Sequence, residues 1–145
     1  MDWRSRATKA APLAILLAAT VLVTCTGTEA YSTGIVNGTF TVPAGTYSTY
    51  MAVVTSDMSN ARLQGSFTTS GDSNNDIVVL VLDRANFDNW RNGRACTIIY
   101  TSGQITTGSL TSYIPVPDTY YLVYAAYSLV SPTDVTTRVD LYFSM

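Results

Sequence analysis

The sequence predicts an all-β protein: a jelly-roll-like sandwich of about eight antiparallel strands that follows an N-terminal signal segment. From residue 31 onward the chain is rich in Thr, Ser, Tyr and Val, and this part holds all ten tyrosines. Such β-branched and aromatic residues favour the pleated, half-buried surface of a strand. They recur in short runs at roughly ten-residue intervals, which is typical of a sandwich or barrel. Helix formers are scarce, because Lys is absent after Lys9 and Glu is absent after Glu29.

The N-terminus has the features of an export signal. Three basic residues within the first nine positions precede an apolar run over residues 10–23, as in the basic and hydrophobic regions of a signal peptide. The 14 residues of this run fall short of the roughly 20 that a membrane-spanning helix needs. We therefore expect residues 1–30 to be the signal segment and residues 31–145 to form one domain.

Two ways of processing the signal segment remain open. Residues 28–30, Thr-Glu-Ala, offer the small residues of a signal-peptidase site, and cleavage there gives a periplasmic or extracellular protein. Residues 22–25, Leu-Val-Thr-Cys, resemble a bacterial lipobox. In that case Cys25 is lipidated and anchors the protein in the cell envelope, with residues 26–32 as a short polar tether. The alternative is that Cys25 is an ordinary residue of the removed signal.

Eight runs have the composition of strands. They cover residues 35–42, 46–55, 62–69, 76–83, 95–101, 104–113, 119–127 and 135–143. The segments between most of them are rich in Pro, Gly, Asn, Asp and Ser, which form turns: residues 43–45, 70–75, 92–93, 102–103, 115–118 and 131–132.

Several runs carry further information. Residues 77–82 and 120–127 are apolar on both alternating faces, which predicts central strands covered on both sides. Residues 84–91 lack this alternation, so a helical turn and an ordered loop both remain open. The fifth run places Cys96 in a strand, where a buried and inert thiol is expected. In the last run apolar and polar residues alternate, so one face should be core and the other wetter.

The expected domain is weakly acidic, with five arginines against eight aspartates and a net charge of −3. Scattered arginines in an acidic chain give no electrostatic footprint for DNA or RNA, so nucleic-acid binding is excluded. Cys96 is the one cysteine of this part of the sequence, and no internal disulfide is expected. The core alone must stabilise the fold, which a domain of about 115 residues can do.

The residue types exclude most catalytic machinery. The chain has no histidine, and residues 31–145 contain no lysine or glutamate. A Ser-His-Asp triad, a His-ligated zinc and a Schiff-base lysine therefore cannot be built. A pair of aspartates is the remaining device, as in some glycoside hydrolases, but the aspartates lie mostly beside turn residues, where Asx hydrogen bonds explain them. We expect a non-catalytic protein without a cofactor.

One loop resembles half of a calcium site. Asp72, Asn74 and Asp76 place oxygen-bearing side chains at alternate positions, as in the first part of a calcium-binding loop. Ile77 stands where the loop glycine would follow, and Asp83 falls at the far end of a predicted strand rather than in a closing position. A polar hairpin loop is the preferred interpretation, and calcium binding is the alternative.

Three aromatic residues are candidates for a ligand platform. Trp90, Tyr113 and Tyr142 could stack on sugar rings if their faces are exposed. The alternative is structural, because tyrosine is an ordinary strand residue and Trp90 would pack its loop onto the edge of the sandwich.

Five segments in order resemble GOLD-type β-sandwich domains, as found in lumenal domains of Golgi cargo receptors and in small exported bacterial domains of similar pattern. They are Val-Pro-Ala-Gly-Thr-Tyr at 42–47, Gly-Ser-Phe-Thr at 65–68, Asp-Ile-Val-Val-Leu-Val-Leu-Asp at 76–83, Asn-Phe-Asp-Asn-Trp at 86–90 and Pro-Asp-Thr-Tyr-Tyr-Leu-Val-Tyr at 117–124. Asp118 and Ala126 depart from the usual Gly and Asn. The resemblance implies a compact sandwich that recognises proteins and has no catalytic residues. The bacterial pre-peptidase C-terminal sandwich is the nearest alternative and also implies binding.

The sequence therefore predicts an exported, non-catalytic binding module for protein–protein recognition at the cell envelope. Its partner would be an unidentified envelope or extracellular protein, and a lipid on Cys25 is the one route to a membrane. A carbohydrate-binding module and a structural envelope component are the alternatives.

Overall fold

The part of the chain that the structure describes forms two sheets and one helix. The computed structural model describes residues 29–71 and 76–145. These contain the strands β1 (Ala30–Val42), β2 (Tyr47–Val54), β3 (Ser59–Gly71), β4 (Ile77–Asp83), β5 (Tyr100–Ile105), β6 (Thr107–Tyr113), β7 (Asp118–Ala126) and β8 (Thr133–Ser144), with the helix α1 (Arg84–Arg91) between β4 and β5. The prediction of an all-β sandwich of about eight strands is confirmed.

The strands pair like a long hairpin rolled onto itself. One sheet has the order β1-β8-β3-β6 and the other has the order β2-β7-β4-β5, and every pairing is antiparallel. The first strand thus lies beside the last, the second beside the seventh, the third beside the sixth and the fourth beside the fifth. This is the arrangement of a jelly roll. It leaves β1, β6, β2 and β5 at the edges of the two sheets.

Residues 29 and 145 lie at the same end of the sandwich. β1 pairs with β8 along its whole length, beginning at Ala30 opposite Ser144. The backbone N–H of Met145 also donates to the carbonyl oxygen of Glu29 at 3.1 Å. The loop between β7 and β8 therefore lies at the opposite end.

The main core lies between the two sheets and is built from their inward-facing side chains. Its fully buried members include Val42, Leu63, Ile77, Val79, Val81, Leu110, Leu122, Val135 and Val139. Tyr124 lies among them, with its hydroxyl 2.7 Å from Thr137 Oγ1. Thr137 Oγ1 donates in turn to the carbonyl oxygen of Ser66 at 2.8 Å. These bonds satisfy the phenol in a site closed to water, and burial raises the pKa of Tyr124.

A smaller apolar cluster lies on the outer face of the sheet β2-β7-β4-β5. There α1 packs Phe87 against Leu80 and Leu82. Asp83 caps the helix, since its carboxylate accepts from the N–H of Asn86 at 2.8 Å. β4 and β7 are thus covered on both faces, which confirms that they are central strands. Residues 84–91, for which the sequence allows a helical turn or an ordered loop, form a helix of eight residues.

The helix α1 is short, and no helix in the two described ranges is long and apolar enough to cross a lipid bilayer.

The predicted strand over residues 95–101 is wrong for residues 95–99. The chain stays irregular after α1, and β5 begins only at Tyr100. The N–H of Thr97 donates to Asn86 Oδ1 at 2.8 Å, which bonds this part of the chain to the helix. Bonding to the sheet begins with the N–H of Ile99, which donates to the carbonyl oxygen of Val81 in β4 at 2.9 Å. Cys96, expected inside that strand, is half-buried beside the smaller cluster.

The turn predicted at residues 102–103 is also wrong, because both residues lie inside β5. Gly103 adopts a φ of 69°, and the pairing with β4 shifts register between Val78 and Leu80. A glycine with positive φ next to a register shift is typical of a bulge. The chain passes from one sheet to the other at Thr106 instead.

Candidate functional site

The outer face of the sheet β1-β8-β3-β6 carries polar side chains in rows that cross the strands. The register aligns Thr39, Thr136, Thr68 and Thr107, one from each strand, and all four are exposed. Thr39 Oγ1 and Thr136 Oγ1 lie 2.9 Å apart and share a hydrogen bond. Because neighbouring strands are about 4.8 Å apart, this threonine row is a ladder of regularly spaced hydroxyls.

Further polar rows run beside the threonine row. The next row contains Asn37, Arg138, Ser66 and Ser109. Beyond it lie Asp140, Gln64 and Thr111, and then Tyr142, Arg62 and Tyr113. We call these residues, together with the threonine row, the hydroxyl face.

Two shallow depressions on the hydroxyl face meet at Ser66 and Arg138. One has a volume of about 330 Å³ and lies over the threonine row. The other has a volume of about 470 Å³ and is also lined by Gln64, Asp140 and Tyr142. Since they share residues, they form one continuous lane along β3 and β8.

Both arginines of the hydroxyl face have partners on it. Arg138 Nε lies 3.3 Å from Asp140 Oδ2, and Arg62 Nε donates to Gln64 Oε1 at 2.9 Å. The guanidinium of Arg62 also lies over the ring of Tyr142, 5.0 Å from its centroid. Each of the two polar contacts uses the Nε–H of its arginine, which leaves the terminal N–H groups of the guanidinium to donate.

The structure brings two of the three candidate platform residues together. Tyr113 and Tyr142 flank Arg62 in one row; Tyr113 is 69% exposed, whereas Tyr142 is half-buried beneath Arg62. Trp90 lies elsewhere, on α1 over the other sheet, with its ring 5.0 Å from that of Tyr47. Trp90 is half-buried there and packs against the smaller cluster.

One edge of the other sheet, the strand β2, exposes apolar side chains. This strand pairs with β7 in an unbroken register. The strand contains no charged residue. Met51 and Val53 are 61% and 55% exposed, and Tyr47 is exposed as well.

Some predicted site residues lie outside the described residues, namely Cys25, Asp72 and Asn74. Asp76 is described; it lies just before β4, and its carboxylate accepts from Gln104 Nε2 at 2.7 Å. Across the part of the chain that the structure covers, no three His, Cys, Asp or Glu side chains come together as metal ligands would. Calcium binding at residues 72–76 and lipidation of Cys25 stay predictions.

Comparison with known proteins yields likenesses at low similarity. No protein-family model and no curated protein matches the chain. Among solved structures, the chain resembles a protein of the disulfide-linked pili that form Bacillus endospore appendages, with 14% identity, a TM-score of 0.49, and coverage of 87% of this chain and 99% of that one. It also resembles FlhE, with 11% identity, a TM-score of 0.40, and coverage of 82% and 97%. Neither likeness says anything about function, and the resemblance to GOLD-type domains stays a prediction.

Proposed function

We propose that this chain is an exported, non-catalytic binding module that recognises a protein partner at the cell envelope. The partner adds an extended segment to the free edge of β2. The observation that carries the proposal is the strand itself, which is regular, uncharged and exposes Met51 and Val53. Unpaired backbone groups on such a strand accept a strand from another chain.

Alternate residues of β2 direct their backbone groups away from β7. The carbonyl oxygen of Thr46 accepts from the N–H of Ala126 at 3.0 Å, and in an antiparallel pair the residues that bond to the partner strand alternate with those that do not. The outward-bonding residues are therefore Tyr47, Thr49, Met51 and Val53. A segment laid along this edge finds free donors and acceptors at each of them, with exposed apolar side chains beside it.

The other three edge strands are less suited to strand addition. β1 has a bulge between Gly34 and Val36, and β5 has six residues and a register shift. Bulges disrupt the regular ladder that an added strand needs. β6 is regular, but apart from Tyr113 its exposed side chains are hydroxyls. Regular pairing and exposed aliphatic side chains coincide in β2.

The chemistry of β2 defines the partner segment. It would be extended, uncharged and rich in β-branched or aromatic residues, because its side chains pack beside Tyr47, Met51 and Val53. A charged segment would lose hydration next to these side chains without gaining an ion pair. The β2 strand of a second copy has the same character, so the experiment must distinguish self-association from binding of a different protein.

Export and envelope location rest on the sequence. The basic start and the apolar run over residues 10–23 support export, and either lipidation of Cys25 or cleavage after Ala30 would deliver the domain outside the cytoplasm. The missing histidine, and the lack of Lys and Glu in residues 31–145, support a non-catalytic role. The resemblance to GOLD-type sandwiches implies the same kind of activity.

Site-specific photo-crosslinking tests the proposal on the full chain, expressed with its own export signal. A photoreactive residue replaces Met51 or, as a control, Val130, which is 89% exposed in the loop after β7. We expect a crosslink from position 51 to one protein, identified by mass spectrometry, and none from position 130. Adding Val53→Pro should abolish it, because this change removes an outward N–H and leaves the β7 pairing intact.

Three results would contradict strand addition at β2: no crosslink from position 51, the same products from both positions, or a crosslink that survives Val53→Pro. A crosslink to a second copy of the chain would identify the partner as the protein itself.

A further inference from the structure

The hydroxyl face is a surface separate from β2, because it lies on the outer side of the opposite sheet. Its rows contain hydroxyls, amides, guanidinium groups and a carboxylate, and they contain no aliphatic side chain. These groups both donate and accept hydrogen bonds. A ligand that covers this face must itself offer many donors and acceptors, as a polyhydroxylated ligand does.

The lane on this face has the length of a short polymer segment. From the row of Arg62 to that of Thr68 it follows six residues of β3, and at about 3.3 Å per residue this is roughly 20 Å. The two depressions join along this length at Ser66 and Arg138. The lane is therefore long enough for several linked sugar rings in an extended chain.

The charges along the lane favour a neutral ligand. Arg138 is paired with Asp140, and in the row beyond the threonines Asp134 accepts from Thr41 Oγ1 at 2.5 Å. Asp134 borders the hydroxyl face, so the face and its border together carry two arginines, Arg62 and Arg138, against two aspartates. A polyanion needs a surplus of unpaired cations, which this face does not offer, whereas sugar hydroxyls can share the free lone pairs and N–H groups of these side chains.

One end of the lane has an open aromatic ring. Tyr113 follows Arg62 in its row and is 69% exposed, so its flat face can stack on a sugar ring. The ring of Tyr142 is occupied by the Arg62 guanidinium. Tyr142 thus positions Arg62 between the open ring and the lane.

We infer that the hydroxyl face binds a neutral polysaccharide that lies along β3 and β8. One sugar ring stacks on Tyr113. The following sugars bond to Gln64, Arg138 and the threonine row through their hydroxyls. This site is independent of strand addition at β2, since the two surfaces share no residue.

Chemical-shift titration of the isotope-labelled, exported full chain tests the inference. The probes are cellohexaose, chitohexaose and maltohexaose, each uncharged, with hexagalacturonate as an anionic comparison. We expect at least one neutral probe to shift the amide signals of residues 62–68 and 136–142. Tyr113→Ala and Arg138→Ala should each weaken its binding by about tenfold, the size expected for one lost stacking or hydrogen-bond contact.

Two further variants keep the test interpretable. Thr68→Val preserves shape and strand propensity while removing one hydroxyl, so it should fold normally and bind more weakly. Tyr127→Ala removes another exposed tyrosine, 57% exposed and away from the hydroxyl face, and should bind as the unmodified chain does. The inference is overturned if no neutral probe shifts these signals, if Tyr127→Ala weakens binding as much as Tyr113→Ala, or if hexagalacturonate binds as tightly.

Discussion

The hydroxyl of Tyr124 and Oγ1 of Thr137 lie 2.7 Å apart in the middle of the sandwich. This bond links the two sheets, because Tyr124 belongs to β7 and Thr137 to β8. Thr137 also donates to the carbonyl oxygen of Ser66 on β3. Three strands are therefore joined by polar contacts inside an otherwise apolar core.

The first prediction ranks two conservative substitutions in this chain of bonds. Tyr124→Phe should lower the free energy of unfolding by about 1 kcal/mol, because Thr137 keeps its bond to Ser66. Thr137→Val should cost about 2 kcal/mol or more, because it leaves the Tyr124 hydroxyl buried without a partner. Urea denaturation followed by tyrosine fluorescence measures both, and the reverse ranking would contradict the assigned bonds.

The second prediction concerns alkaline pH. Burial raises the pKa of Tyr124 above its ordinary value of 10.0, so above that pH the unfolded chain loses the phenol proton while the folded chain keeps it. The free energy of unfolding should therefore be constant from neutral pH to about pH 9 and fall as the pH rises beyond about 10. Urea titrations at a series of pH values measure it. The fall should be smaller in Tyr124→Phe, and an equal fall in both proteins would assign it to other groups.

The third prediction tests a close approach of two backbones. A Cβ on Gly65 would lie 1.9 Å from the carbonyl oxygen of Arg138, whereas a Cβ on Gly34 would meet Asp140 Oδ1 at an ordinary 3.5 Å. Gly65→Ala should therefore lower the free energy of unfolding by about 3 kcal/mol or more, because two paired strands must separate. Gly34→Ala should change stability by less than about 1 kcal/mol. Thermal melting of the two variants compares them, and similar melting temperatures would refute the contact.

The fourth prediction tests the direction of the β2 backbone. Met51→Pro should fold, because its N–H points away from β7, whereas Ala52→Pro should fail, because its N–H bonds to β7. Circular dichroism and the yield of exported protein distinguish them. If Ala52→Pro folded and Met51→Pro did not, the outward-bonding residues would be the other set.

The fifth prediction concerns the helix that covers the smaller cluster. Asp83→Ala removes the acceptor for the N–H of Asn86 and for its side-chain amide, and should destabilise the protein by about 1 to 2 kcal/mol. Asp83→Asn, which keeps an acceptor oxygen, should recover most of this loss. Denaturant melts of both variants decide the point, and equal losses would show that the cap is not what stabilises α1.

The strands could largely be predicted from the sequence, and the reason is local. The continuous apolar runs of β4 and β7 indicate strands that are buried on both faces. The alternation of apolar and polar residues in β8 indicates a strand that is buried on one face. The predicted fifth strand begins too early, because Ile98 and Ile99 resemble strand residues, whereas the bond from Thr97 to Asn86 holds the chain just before them against the helix. The acceptor of this bond is the side chain of Asn86 in α1, and no local sequence pattern reveals such a contact.

The hydroxyl face could not be predicted in the same way. Each residue of the threonine row lies in its own strand-like run, where threonine is ordinary. Thr39 and Thr136 are neighbours only because the first strand pairs with the last, in one particular register. Side-chain chemistry makes Tyr113 and Tyr142 candidates, but their position around Arg62 follows from two separate long-range pairings.

The pairing of Ala30 with Ser144 bears on how the domain responds to mechanical load. β1 is an edge strand whose ladder runs to β8 alone. If the chain is pulled from its N-terminal side while a ligand holds β3, the force acts along β1, parallel to the strand. The ladder bonds between β1 and β8 are then loaded together in shear and share the tension. A pull on both termini would instead open the same ladder one pair at a time, beginning at Ala30. The domain should therefore withstand a larger force between its N-terminal side and a bound ligand than between its two termini.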